Sequence, residues 1–302
     1  MRIVVTGGSG MLGHRLMHRA ASRHEVWGTF HTHPVKIAGC SMMPLDVTKE
    51  AEVRARLNEI QPDVVLHTAA LTDVDECEKN PERARNINSH GTAVTAKVTE
   101  ELGAQLVYIS TDYVFDGARG GYKEDDVPNP VNHYGASKLL GEEFARQQCS
   151  RGLIVRTTIF GRKIPPQVGM VESMVSALRS GKSMTRFVDQ YFTPLYTDLL
   201  SELLLRLAER QINGRYHIGS RDKVSRYEFS RQVVDVFALT RAEIRQGPFH
   251  QIDGLAQRPK DTSLNCDAIT GLLGVQLPTV KEGLVHLERD WNGAAQDSVV
   301  IQ

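Results

Sequence analysis

The sequence predicts an α/β fold: a doubly wound parallel sheet carrying a smaller mixed α/β lobe. Two observations predict it. Short apolar runs alternate with stretches of helical periodicity through the first half of the 302 residues, as the successive β and α units of a parallel sheet do. A glycine-rich segment, Thr6-Gly7-Gly8-Ser9-Gly10-Met11-Leu12-Gly13, joins the first apolar run to the first helical one.

In order, residues 3–6 read as a strand, 11–22 as a helix and 25–30 as a second strand. Residues 53–60 are helical, and 64–68 form a third strand entered after Gln61-Pro62-Asp63. A long helix over 81–102 leads to a strand at 106–109, and a helix over 134–148 leads to one at 153–156. The Gly/Pro/charged stretch 116–130 interrupts this alternation and is expected to overhang the site. After about residue 161 the pattern loosens: 186–194 is loop-like, 199–209 helical, 215–219 a strand and 227–237 an amphipathic helix. The expected division is a nucleotide-binding domain over 1–160 and a mainly substrate-binding lobe over 161–302, with segments that return to the first domain. Residues 292–302 show little core-forming pattern and are expected to be mobile.

Composition narrows the function. Lys+Arg and Asp+Glu both number 36, so the formal net charge is zero and no nucleic-acid groove or acidic tail is expected. Four scattered cysteines, Cys40, Cys77, Cys149 and Cys266, make no CxxC pair; neither framework disulfides nor a cysteine zinc site is expected, and a cytoplasmic location fits. The chain starts directly in a strand, so no signal peptide is expected. No apolar run approaches the roughly 20 residues that span a bilayer, so no membrane partner is expected. Eleven histidines lack HExxH-like spacing; His14 and His67 are expected to serve packing or hydrogen bonding, and no metal is expected.

In the glycine segment, Gly7 permits a tight turn, Gly10 lets the backbone approach a pyrophosphate, and Gly13 lets the helix pack on the sheet. Met11 and Leu12 open that helix, whose free amides and dipole favour an anion. A glycine triplet alone also fits a ligand-free turn. Its place at the first strand of an alternating chain points instead to a Rossmann-type dinucleotide site. An acidic residue at the end of the second strand commonly binds the ribose 2′-hydroxyl of NAD. No carboxylate lies between Val26 and Leu45, while His31, His33 and Lys36 are available. NADP(H) is therefore favoured and NAD(H) stays open. Asp46, followed by Val47, is placed to contact adenine or equally to cap the next helix.

A carbonyl accepting hydride needs a proton donor and a hydrogen-bond donor for its oxygen. Tyr134 and Lys138 are four residues apart, on one helix face. Tyr134 can supply the proton, with the ammonium of Lys138 and a bound nicotinamide both expected to lower its pKa. Lys138 can also bind the nicotinamide ribose. Thr111, or Ser110 beside it, ends an apolar strand at the edge where such sheets bind ligands. A YxxxK pair alone is more often an ordinary surface pair; its order after the glycine turn and the Thr111 strand raises the signal.

At these residues the chain resembles the extended short-chain dehydrogenase/reductase family, in its dTDP-4-dehydrorhamnose reductase branch. The segments that carry the resemblance are 67–75, beginning His67-Thr68-Ala69-Ala70, then Ser110-Thr111-Asp112-Tyr113-Val114-Phe115-Asp116-Gly117, then 134–138, and Arg258-Pro259-Lys260-Asp261-Thr262-Ser263-Leu264. The resemblance implies Thr111, Tyr134 and Lys138 as the catalytic trio. It implies Ala69, Ala70 and Thr72 along the nicotinamide half of the cofactor, Asp112 and Tyr113 beside the sugar, and Arg258 near the nucleotide phosphates. Related dehydratases carry a Glu where this chain has Tyr113, so simple reduction of a 4-keto nucleotide sugar is implied. The tryptophan common in the branch after residues 153–156 is replaced by Thr157-Thr158-Ile159-Phe160. The branch also resembles the regulatory beta subunit of methionine adenosyltransferase, which makes an NADP-binding partner protein the alternative; a nucleotide-sugar epimerase is a third reading. A homodimer stays open.

Overall fold

The computed structural model describes residues 1–163, 167–239, 243–251 and 253–291. The expected mobile tail, 292–302, lies outside them. The first half builds β1 (Arg2–Thr6), α1 (Met11–Ala20), β2 (Glu25–Phe30), β3 (Cys40–Pro44), α2 (Glu50–Ile60) and β4 (Val64–His67). It continues with α3 (Val74–Lys79), α4 (Pro81–Arg85), a π segment (Asn86–His90), α5 (Gly91–Glu101), β5 (Gln105–Thr111), α6 (His133–Gln148) and β6 (Gly152–Thr157).

Seven parallel strands form the central sheet in the order β11-β6-β5-β4-β1-β2-β3, where β11 is Gly214–His217. That is the doubly wound arrangement the alternation predicts. Successive side chains point to opposite faces. Ile3 and Val5 therefore join one core with Leu16, Met17, Leu200 and Leu204, and Val4 joins another with Leu57, Val94 and Ala145.

Three stretches depart from expectation. Strand β3 was not foreseen: Cys40-Ser-Met-Met-Pro44 sits at the sheet edge, no residue of it fully buried, and shows no alternation to read. The single helix expected over 81–102 contains the π segment at 86–90. The stretch expected to be loop over 186–194 carries the end of β8 (Met184–Phe187), paired with β13 (Ile244–Gly247), and β9 (Tyr191–Phe192), paired with β12 (Val224–Ser225). The two other strands of the lobe, β7 (Ile159–Phe160) and β10 (Leu195–Tyr196), pair with each other. Its helices are α7 (Met170–Arg179), α8 (Thr197–Glu209), α9 (Arg226–Val236), α10 (Asp267–Leu273) and α11 (Val280–Trp291). No helix among the described residues is long and apolar enough to cross a membrane.

Candidate active site

A cleft of about 810 Å³ opens over the C-terminal ends of β1, β2, β4, β5 and β6, where parallel sheets bind ligands. The glycine turn forms one end. Gly7 has φ of +71°, and a Cβ there would meet the Ala69 Cα at 2.9 Å; a Cβ on Gly13 would meet the Gly7 carbonyl oxygen at 2.3 Å. Only glycine fits either place. Gly10 is the N-cap of α1, so Met11, Leu12 and Gly13 present the helix amides to the cleft that they line. This cradle fits a pyrophosphate.

Next along the wall are His31 at the end of β2, then Asp46 and Val47 beyond β3. Asp46 Oδ1 accepts from both the backbone N–H and the hydroxyl of Thr48, at 3.0 and 2.7 Å. Burial would raise its carboxyl, but the Thr48 bonds outweigh that, with help from His31, and hold it below the usual range. Asp46 thus shapes the turn into α2 while lining the cleft; the N-cap itself is Lys49. His33 also lines the wall, whereas Lys36 does not.

Ala69, Ala70 and Thr72 follow β4 into the cleft, and a residue that the sequence did not single out fixes them. Asn88, fully buried in the π segment, accepts from Leu71 N–H at 2.7 Å and donates to the Leu71 carbonyl at 3.0 Å. The same amide donates to Ser137 Oγ at 2.9 Å, and Ser137 lies between Tyr134 and Lys138. A π bulge at such a point turns one side chain toward partners that α geometry would miss. It ties the loop after β4 to the helix that bears the tyrosine.

Helix α6 starts at the Asn132 cap, whose side chain accepts from Gly135 N–H at 2.8 Å. Its close approach to β5 needs Gly141, where a Cβ would meet the Tyr108 hydroxyl at 2.3 Å. The approach carries Tyr134 and Lys138 to Thr111 and Tyr113, and all four line the cleft. The rings of Tyr113 and Tyr134 meet edge to face at 5.9 Å. Burial raises the Tyr134 phenol above its ordinary value, and the Thr111 hydroxyl only partly opposes this. The lowering expected from Lys138 does not appear in the protein alone: burial dominates, the Asp112 carboxylate adds to it, and Tyr134 is protonated at neutral pH.

Lys138 is 3% exposed, with its Nζ 4.2 Å from the centroid of the Tyr108 ring. Burial pulls its ammonium down to about 7, while the Glu142 carboxylate one turn on raises it partway. Between about 7 and the ordinary 10.5 the unfolded chain holds a proton that the folded chain has released, so stability rises with pH across that window. Below about 7 the full penalty of burying the charge is present. We expect Lys138→Met to melt at a higher temperature than the parent at about pH 6, with the gap shrinking toward about pH 10. Melting curves across that range check it, and a gap that is constant or grows with pH contradicts it.

Asp112 is 2% exposed and accepts from the hydroxyls of Thr262 at 2.6 Å and Thr111 at 3.1 Å. Burial pushes its carboxyl up to about 6 against those bonds and the charge of Arg226. Arg258 is not part of the cleft wall. Its guanidinium pairs with Asp75 at 2.9 Å and donates to the Ala256 carbonyl at 2.8 Å. The wall near Tyr113 carries Arg226 instead. No residue of 116–130 lines the cleft, so the overhang expected there is absent. The stretch folds back on 261–265, with Tyr122 bridging to Leu264 and stacked on Phe115. Among the described residues no group of three or more His, Cys, Asp or Glu is placed to hold a metal ion.

A family model described as RmlD substrate binding domain matches residues 1–291. The chain is 31% identical over 293 residues to the probable low-salt glycan biosynthesis reductase Agl14 of Haloferax volcanii, covering 95% of this chain and 97% of that protein. It is also 31% identical over 290 residues to the methionine adenosyltransferase 2 subunit beta of Danio rerio, covering 91% and 86%. Among solved structures, the dTDP-4-dehydrorhamnose reductase of Bacillus anthracis in complex with NADP superposes with a TM-score of 0.83 at 29% identity, over 96% of this chain and 99% of that one. A hypothetical dTDP-4-dehydrorhamnose reductase of Sulfolobus tokodaii gives 0.84 at 33%, over 94% and 99%.

Proposed function

This chain belongs to the RmlD substrate binding domain family, within the extended short-chain dehydrogenases/reductases, and from that membership we propose that it is an NADPH-dependent reductase of a 4-keto nucleotide sugar. The observation that carries the reading is the meeting of Thr111, Tyr134 and Lys138 in one cleft with the glycine cradle. The similarity to reductases named for dTDP-4-dehydrorhamnose makes that sugar, and rhamnose supply for a glycan, the first substrate and role to test.

Bound NADPH would supply the hydride that reduces the C4 carbonyl. Gly7, Gly10 and Gly13 would seat its pyrophosphate, and Ala69, Ala70 and Thr72 would flank its nicotinamide half. Lys138 would hold the ribose hydroxyls. Thr111 would donate a hydrogen bond to the C4 oxygen, and Tyr134, kept protonated by burial, would give that oxygen its proton. Asp112 and Tyr113 would wall the sugar. NADPH oxidation that requires a 4-keto nucleotide sugar tests the reading.

Similarity to the methionine adenosyltransferase subunit supports a second reading, an NADP-binding regulatory subunit. It predicts NADPH binding with no turnover of any keto sugar.

The histidines at the end of β2 would favour a 2′-phosphate. We expect His31→Asp to worsen KM for NADPH about tenfold, or about 1.4 kcal/mol, relative to NADH. An unchanged NADPH/NADH ratio would remove the basis for the cofactor preference.

A further inference from the structure

Thr111 and Asp112 share a hydrogen bond whose direction decides what Thr111 can offer a substrate. A threonine hydroxyl has a single O–H and two lone pairs. One lone pair of Thr111 takes the Tyr113 backbone N–H at 3.2 Å, and the same hydroxyl lies 3.1 Å from Asp112 Oδ1. An ionised carboxylate only accepts, so it claims the Thr111 proton and leaves none for a C4 oxygen. A neutral Asp112 reverses the bond. Its own Oδ1–H then donates to the second lone pair of Thr111, and the Thr111 proton is free to point at the substrate. The Tyr134 phenol, which also reaches this hydroxyl, gives its proton to the C4 oxygen in the proposed reaction.

The surroundings of Asp112 suit the neutral form. It is buried, and among the described residues its carboxylate has no ion pair within 4.0 Å; the positive charge that acts on it, Arg226 of α9, stands further off. The other titratable groups that it faces are the phenols of Tyr113, beside it, and Tyr134, on α6. A dry carboxyl without a paired cation is stabilised as the acid. Thr262, itself buried, donates to Asp112 Oδ2 at 2.6 Å, and its hydroxyl makes no other hydrogen bond among the described residues. That donor gives Oδ2 the accepting role in either charge state and leaves Oδ1 as the oxygen that carries the proton. Thr262 belongs to the segment 258–264, whose Arg258 is turned away to Asp75; through Thr262 the segment still bears on Thr111.

We propose that Asp112 works in its neutral form as a positioning residue for the reduction, donating from Oδ1 to Thr111 so that the Thr111 proton serves the C4 oxygen. This rests on the reading of the cleft as a ketone-reducing site. A carboxylic acid kept neutral by a dry site donates where an oxyanion develops and costs no reorganisation there.

Single-turnover rates of NADPH oxidation by saturating dTDP-4-keto-6-deoxy-L-sugar, measured against pH, test it. In the parent the rate should fall as pH rises through the Asp112 titration, near 6 for the protein alone and higher with the anionic substrate bound. Asp112→Asn keeps a donor toward Thr111 and an acceptor toward Thr262 at every pH. That fall should vanish, and one unit above the parent's midpoint the variant should be about tenfold faster than the parent. Any fall left should follow Lys138, whose charge is lost near 7. Thr262→Val removes a hydrogen bond that favours the carboxylate, so the midpoint should move up by about one unit. NADPH affinity reports an intact fold, and if Asp112→Asn does not bind NADPH the Thr262→Val midpoint decides. The proposal is overturned if the parent's rate rises with pH through this range, if Asp112→Asn is slower than the parent across it, or if the Thr262→Val midpoint stays or moves down. Failure of the reductase reading looks different: the parent oxidises no NADPH with any 4-keto nucleotide sugar at any pH.

Discussion

Tyr134→Phe should slow sugar reduction by a factor of about 10² to 10⁴, the range for removing a positioned proton donor, and leave NADPH affinity within about twofold. In the proposed reaction the phenol protonates the carbonyl oxygen; it lines the cleft, sits against Tyr113, and feels the Thr111 hydroxyl. Phenylalanine keeps the ring and the edge contact at 5.9 Å, so the loss isolates the hydroxyl. The effect belongs in kcat more than in KM, because the proton moves only as charge develops on oxygen. A variant within a few-fold of the parent would place the proton donor elsewhere.

Arg156→Met should destabilise the fold by about 3–5 kcal/mol, because it leaves a buried carboxylate with Ser110 and only the longer pairing to Arg215 at 3.7 Å. Arg156 is fully buried on β6, and its Nε and Nη2 donate to the two oxygens of Glu142 at 2.8 and 2.7 Å. Ser110 donates to the same carboxylate at 2.5 Å. Glu142 lies one turn beyond Lys138 on α6, and Ser110 precedes Thr111 on β5. Glu142 therefore fastens the tyrosine helix to β6 through Arg156 and, through Ser110, to the strand that ends in Thr111. The double variant Arg156→Met/Glu142→Leu removes both charges and should regain most of the lost stability. Its kcat should still be reduced, since Lys138 loses the carboxylate that supports its charge. Denaturant midpoints of parent, single and double variants check this. A single variant within about 1 kcal/mol of the parent would show that the pair is not needed.

Much of this architecture is legible in the chain because it is written locally. Gly7, Gly10 and Gly13 follow an apolar run and open a helix; Tyr134 and Lys138 share a helical face; Thr111 ends a buried strand. Periodicity and turn chemistry over a few residues suffice for each. What escapes reading is set by contacts distant in sequence. Strand β3 has its edge position only because β2 lies beside it. Asn88 acquires its role from Leu71 and Ser137, 17 and 49 residues away. Arg258 is paired by Asp75, 183 residues away, and Arg226 reaches the cleft because β12 pairs with β9. The Tyr134 phenol stands above its ordinary value in the protein alone for a related reason: its burial is set by the fold and not by its neighbours in sequence.

Hydride transfer to C4 of a nucleotide sugar is tested most directly by isotope tracing. The protein would be supplied with NADPH deuterated at the transferring position of the nicotinamide and with enzymatically prepared dTDP-4-keto-6-deoxy-L-sugar. One deuterium is expected at C4 of the product sugar, in an amount matching the NADPH consumed and lost in Tyr134→Phe. Deuterium at another carbon, or label that stays on the cofactor while NADPH and sugar both bind, would contradict it.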